Sequence, residues 1–275
     1  MKYGYIIGVC SVVLASLVVG CGDRPITVRE ACNSDPTMCS DLNQDNWCNA
    51  ERRQLILTRY SHKMNPSAES KYYLLKDLQN YSQCIELASA IEHKKLKEKQ
   101  SHRIEAYINS LRNIEKRAQE TRQSEHPLLL YWHWANRNNQ AALKRLLALE
   151  GAPIMQTSEL QFALATYYAK ENTDKMLAYL YRALRLYQPG QRFNVEIPES
   201  LATYYLNQGA VDKAYVWSLV AVNFKSKVLD VEQLDDIFTQ PDERKKQLRD
   251  IADRLTDRIT EGRFNLRPDW SVPTN

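Results

Sequence analysis

Three groups of side chains carry potential chemistry in this chain. Asp41, Asn43 and Asp45 alternate with other residues as the first ligands of a calcium loop do. Such a loop turns on Gly at its sixth position and closes with a bidentate Glu at its twelfth. Here Asn46 and Arg52 stand there, with Glu51 one place early. A loop that caps a helix is the expectation, and no metal is assigned. The five histidines, His62, His93, His102, His126 and His133, form no H-E-x-x-H motif. His126 and His133 can share a helix face, but Trp132 and Trp134 flank His133, so a packed histidine is expected. The six cysteines contain no C-x-x-C and fit no zinc-finger spacing. Nucleophile-elbow, P-loop and dinucleotide glycine motifs are all missing. Acidic residues are scattered over helical patterns, so no glycosidase-type carboxylate pair stands out. The chain is therefore not expected to be an enzyme or to hold a cofactor.

The compartment decides what the cysteines do. Lys2 is the only charge before Asp23, and Ile6 to Val19 is an uncharged, largely apolar run of fourteen residues. That length suits the core of a signal peptide and falls short of the ~20 residues that span a bilayer. The run ends in Leu17-Val18-Val19-Gly20-Cys21, which resembles the bacterial lipobox. The resemblance implies cleavage after residue 20, a diacylglyceryl thioether on Cys21 and an acylated amine. Two or more acyl chains anchor a protein stably. Lipoproteins kept on the inner membrane often carry Asp directly after the cysteine; here Gly22 intervenes before Asp23. By resemblance, the destination is the periplasmic face of the outer membrane rather than the inner membrane.

Cys10 leaves with the signal and Cys21 takes the lipid. Cys32, Cys39, Cys48 and Cys84 remain, an even number for an oxidising compartment. Four cysteines allow three pairings. Cys32 and Cys39 flank a turn-rich segment around Asp35-Pro36. Cys48 and Cys84 lie about equally far from a helix reversal near Asn65-Pro66, which sets them side by side in an antiparallel hairpin. The favoured pairing is Cys32 with Cys39 and Cys48 with Cys84.

The elements that hold these groups are helical. There are 8 glycines in 275 residues, about 3% where roughly 7% is usual, which disfavours turn-rich β folds. No segment keeps a period of two for long. With 37 Lys+Arg against 33 Asp+Glu the net charge is +4, too even to call for a nucleic-acid partner. Asp45 or Asn46 reads as the cap of a helix from Trp47 to about His62. Ser67 caps the next helix, with Leu74, Leu75, Leu78, Tyr81, Ile85, Ala88 and Ile91 near the helical period. Ser101 caps another, with Ile104, Tyr107, Ile108, Leu111, Ile114 and Ala118 as its apolar stripe. Lys94, Lys95, Lys97, Lys99 and Arg103 form a basic stretch, read as a solvated helix face or end.

From Pro127 the chain repeats. Leu164-Ala165-Thr166-Tyr167-Tyr168 returns as Leu201-Ala202-Thr203-Tyr204-Tyr205, offset by 37, and each is followed by Asp-Lys and a second helix. Leu130-Tyr131-Trp132 begins a fainter third copy. The pattern resembles the tetratricopeptide and Sel1-like repeats, which implies an α-α superhelix whose stacked helix pairs bury one continuous core. Pro189 to Pro198 departs from it as an insertion. A last helix, about Asp242 to Thr260, reads as a cap, and Asn265 to Asn275 as a loose tail.

The layout is thus a signal peptide (1–20), a lipid-anchored tether with a Cys loop (21–45), N-terminal helical hairpins (46–122), repeats with a capping helix (123–262) and a tail (263–275). Three stretches, 39–48, 91–99 and 126–132, resemble those of a family of uncharacterised gammaproteobacterial lipoproteins that brings no activity with it. The expectation is an all-α, membrane-anchored periplasmic scaffold or adaptor for protein or peptide partners of the envelope. The alternatives are an envelope enzyme acting on peptidoglycan and a purely structural or stress-related lipoprotein.

Overall fold

Helix starts follow local capping chemistry. Ser67 Oγ accepts the Ser70 N–H at 3.0 Å while Ser70 Oγ accepts the Ser67 N–H at 2.9 Å, which opens one long helix. Asn139, Thr157 and Asn172 each cap a helix by accepting an amide three residues on, a contribution of about 1 kcal/mol apiece. The computed structural model describes residues 24–92 and 97–272, so Cys21, His93, Lys94 and Lys95 lie outside the described residues. Among these residues the chain is all-α: α1 Val28–Ser34, α2 Asn49–Met64, α3 Ala68–Ser89, α4 Lys97–Thr121, α5 Pro127–Arg137, α6 Gln140–Ala148, α7 Ser158–Glu171, α8 Thr173–Leu186, α9 Glu196–Asn207, α10 Val211–Asn223, α11 Val231–Ile237 and α12 Asp242–Thr260. Neighbours in sequence pack as pairs: α2 on α3, α3 on α4, α5 on α6, α7 on α8 and α9 on α10. No described helix is long and apolar enough to cross a membrane.

The two clearest repeats agree in detail. In α7, Ala165 and Tyr168 are buried and Tyr167 is partly exposed; in α9, Ala202 and Tyr205 are buried and Tyr204 is partly exposed. The adjacent rings meet edge-on in both, at 4.9 Å for Tyr167–Tyr168 and 5.0 Å for Tyr204–Tyr205. A lysine from the second helix covers the buried tyrosine each time: Lys175 Nζ lies 4.4 Å from the Tyr168 ring centre and Lys213 Nζ 4.9 Å from that of Tyr205. The alanines are small because two helices cross there, and the tyrosines fill the space between successive pairs.

Four local expectations change. The segment read as a polar tether contains α1, capped by Thr27 and Glu30, with Ala31 buried beside α2. The α2 helix starts at Asn49, after Cys48 in a left-handed conformation, rather than at Trp47 behind a cap at Asp45 or Asn46. The α4 helix starts before Ser101, whose hydroxyl donates to the Lys97 carbonyl. Its buried stripe is Arg103, Ala106, Ser110, Ile114, Ala118 and Thr121, while Ile104, Ile108 and Leu111 stand exposed. Polar pairing sets this rotation: Arg103 reaches Asp45 at 2.7 Å and the Ala88 carbonyl at 3.2 Å, and Ser110 donates to Ser82 at 2.9 Å. The fourth change is at the C-terminus, where Phe264 is buried and Leu266, Trp270 and Val272 pack against the core of α8 to α12.

Candidate functional site

The insertion between α8 and α9 is a strap. Phe193 stacks on Phe224 with ring centres 3.8 Å apart and meets Tyr187 edge-on at 5.3 Å, which fixes the strap to the C-terminal helices. Its polar residues reach the other way, to α3 and α7. Arg192 forms a two-pronged ion pair with Asp77, one arm at 2.9 Å, and lies 5.5 Å from the Tyr73 ring centre. Asp77 is only 1% exposed, and Thr58 donates to it at 2.7 Å. A charge this deep is tolerable only because it is paired and hydrogen-bonded.

Beside that pair sits Glu159, 8% exposed at the start of α7. Its oxygens accept from Tyr72 Oη at 2.5 Å, Lys76 Nζ at 2.7 Å and Asn194 Nδ2 at 3.1 Å. Burial pushes its pKa up, but the Lys76 charge and the hydrogen bonds of Lys76, Tyr72 and Asn194 outweigh it and hold the carboxyl below its usual 4.5. The Tyr72 hydroxyl moves the opposite way, pushed up by burial and by Glu159.

Two clefts open on either side of this network, of about 500 and 530 Å³, and share Tyr73, Glu159 and Arg192. The larger runs along α3 and α5 past Lys76, Gln83, Tyr131 and Asn136 to Glu196, Glu199 and Lys225. Glu199 accepts from Ser226 at 2.7 Å, and burial raises its pKa. Lys227 pairs with Glu51 of α2 and closes the far end. The smaller cleft is lined by hydroxyls and amides, among them Thr58, Ser61, Ser70, Thr157 and Gln191. Both clefts offer hydrogen bonds in both directions with some aromatic surface, which suits a polar chain more than an apolar small molecule.

The residues singled out in the sequence do not gather here. Asp41 is held by Arg59 at 2.6 and 2.8 Å, and Asp45 by Arg103, Asn43 and the Trp47 amide. These carboxylates fold the loop on to α2 and α4. Among the histidines, His133 is buried with Nε2 3.0 Å from Thr121 Oγ1, His62 meets Ser70 at 2.7 Å, and His126 lines the smaller of the two clefts. Lys97 and Lys99 are exposed on the first turn of α4, but Arg103, read with them as solvated, is 2% exposed in its ion pair. Cys32 bonds Cys39 and Cys48 bonds Cys84, each with Cα atoms 5.8 Å apart. Glu51 lies near the second disulfide, whose sulfurs are spent on one another. No motif in the sequence marks Lys76, Asp77, Glu159 or Arg192; the one signal is the insertion that carries Arg192.

No curated protein and no solved structure matches the chain. Residues 18–219 match the family described as protein of unknown function (DUF2989). That span reaches from before α1 into α10 and takes in the strap and both halves of the charged network. The chain belongs to the DUF2989 family.

Proposed function

We propose that this chain is a lipoprotein of the bacterial cell envelope, anchored through Cys21 to the periplasmic face of the outer membrane, and that its paired clefts dock protein or peptide partners. The observation that carries the docking role is the strap, which holds two polar clefts of about 500 and 530 Å³ over a fixed network of charges. Its carboxylates, Asp77 and Glu159, are already saturated by intramolecular donors, an arrangement that builds a rigid surface. Two disulfides support an oxidising compartment, and the matched tyrosine–lysine geometry of α7–α8 and α9–α10 supports tetratricopeptide-like stacking.

A photo-crosslinking amino acid placed at Gln83, in the larger cleft, should give discrete protein adducts in living cells, whereas the same label at exposed Lys246 on α12 should not. Equal labelling at both positions, or none at either, removes the docking role. Cys21→Ala should move the protein from the membrane to the soluble fraction; a variant still acylated and membrane-bound removes the anchor.

One observation favours a second reading, an enzyme acting on peptidoglycan: Glu196 and Glu199 share the larger cleft, and burial holds Glu199 above its ordinary pKa, as a general acid requires. Release of soluble fragments from purified peptidoglycan by the wild type but not by Glu199→Gln would establish it.

A further inference from the structure

The C-terminal segment behaves as a bound peptide. After α12, Gly262 turns the chain with φ +67°, and a Cβ there would lie 2.8 Å from the Pro189 ring. From Phe264 to Val272 the segment alternates: Phe264, Leu266, Pro268, Trp270 and Val272 are covered, while Asn265, Arg267, Asp269 and Ser271 are exposed. A period of two keeps one side of a segment on a surface; the chain runs without regular structure from Arg263 to Arg267 and turns at Pro268–Asp269, where the Trp270 N–H donates to the Arg267 carbonyl at 3.2 Å. The surface is α8, α9 and α10. Arg185 of α8 donates to the Leu266 carbonyl at 3.1 Å, and Tyr205 of α9 to the Pro268 carbonyl at 3.1 Å. The Trp270 indole N–H donates to Tyr181 of α8 at 2.6 Å, and Lys213 of α10 lies 5.2 Å from its ring centre.

Two features mark this as recognition. Every side-chain hydrogen bond to the described residues beyond Phe264 comes from α8 or α9, from residues 63 to 89 positions away in sequence, and none from α12, which delivers the segment. The repeats also diverge here in a telling way. In α7 the hydroxyl of Tyr168 donates to Glu150 of its own repeat array, whereas the matching Tyr205 donates to the tail. Side-chain donors aimed at main-chain carbonyls hold a peptide whatever its sequence, and the seat beside Tyr181 and Lys213 selects for Trp.

We propose that the α8–α9–α10 face is a peptide-docking site that the chain fills with its own residues 264–272, and that the same segment of a second copy exchanges for it. Because the grip is indifferent to the covalent origin of the segment, exchange needs only rotation beyond Gly262, the low-barrier route by which identical elements swap between protomers.

The test uses the full chain carrying Leu266→Ala and Trp270→Ala, which loosens the resident segment and keeps Phe264. A fluorescein-labelled synthetic peptide of residues 262–275 should bind this variant saturably by anisotropy. Binding should be at least about tenfold weaker to the wild type, whose tethered segment competes at an effective concentration in the millimolar range. It should weaken by a similar factor when the peptide itself carries Trp270→Ala. A variant with wild-type helicity that binds no peptide overturns the proposal. Hydrogen exchange on the wild-type chain gives an independent arm: the Trp270 indole N–H, held by Tyr181, should exchange at least about a hundredfold faster than the amides of α10, as local opening requires. Exchange of both at one common rate shows the segment to be a fixed part of the core and overturns it too.

Discussion

The two ends of the molecule solve the same packing problem by different means. From α1 to α4 the core is closed by two disulfides and by polar groups deep inside it: Arg103 against Asp45, Asp77 against Arg192, Ser82 against Ser110. From α8 to α12 no disulfide occurs among the described residues, and the centre is aromatic, with Tyr181, Tyr215 and Trp217 fully buried. The repeated region can rely on apolar stacking, because each pair presents to the next the face that the previous pair presented to it. The N-terminal helices share no such repeat, so their partners and rotations must be specified one at a time. Buried polar contacts and covalent links do that, at some cost in desolvation.

The largest effect that sharpens this contrast is expected in the aromatic half. Trp217→Ala, at a position that is 0% exposed, should destabilise the chain by about 4 kcal/mol in denaturant titrations, as truncation of a buried Trp does. Removing the longer disulfide by Cys48→Ser with Cys84→Ser opens a link of sequence separation 36 and should cost about 3.8 kcal/mol on the chain-entropy scale, more than loss of Cys32–Cys39. Should that double variant melt like the wild type, the stapled half would not depend on its staples, and the contrast would fail.

The smallest effect is in pH dependence, and two glutamates should show opposite signs. Glu159 has a lowered pKa in the folded chain, so its stabilisation is present above its unfolded value near 4.5 and fades as pH falls below it. Glu159→Gln should therefore cost stability at pH 7 and progressively less towards pH 3. Glu199 has a raised pKa, so its ionisation weakens the fold as pH rises through and above 4.5. Glu199→Gln should be neutral at pH 3 and stabilising at pH 7. Thermal melts of both variants across that range check the pair, and parallel curves would contradict the assigned environments.

The sequence carried the helical architecture well, because amphipathic periodicity and repeated motifs are local signals. It misled where a distant partner decides orientation. Ile104, Ile108 and Leu111 make a better apolar stripe than Arg103, Ala106 and Ser110, yet the latter face inwards because Asp45 and Ser82 await them. The tail reads as loose because it follows the last helix, yet Phe264 to Val272 alternates apolar and polar residues, an exception to the general lack of a period of two, and the surface that explains it is built by residues 63 to 89 positions earlier. The strap was visible as an insertion, but nothing near Arg192 names Asp77, 115 positions earlier, as its target. A site built from such separated residues leaves no motif.

The strap also sets an order of events. Arg192 must find Asp77 across 115 residues, and Lys227 must find Glu51 across 176. Contacts this far apart raise the entropic cost of reaching the native topology and slow it. A chain that emerges amino end first can complete its early hairpins while the strap is still unmade, so the molecule spends its first moments with Asp77 lacking its counter-charge. The interval ends when the strap arrives and Arg192 meets Asp77.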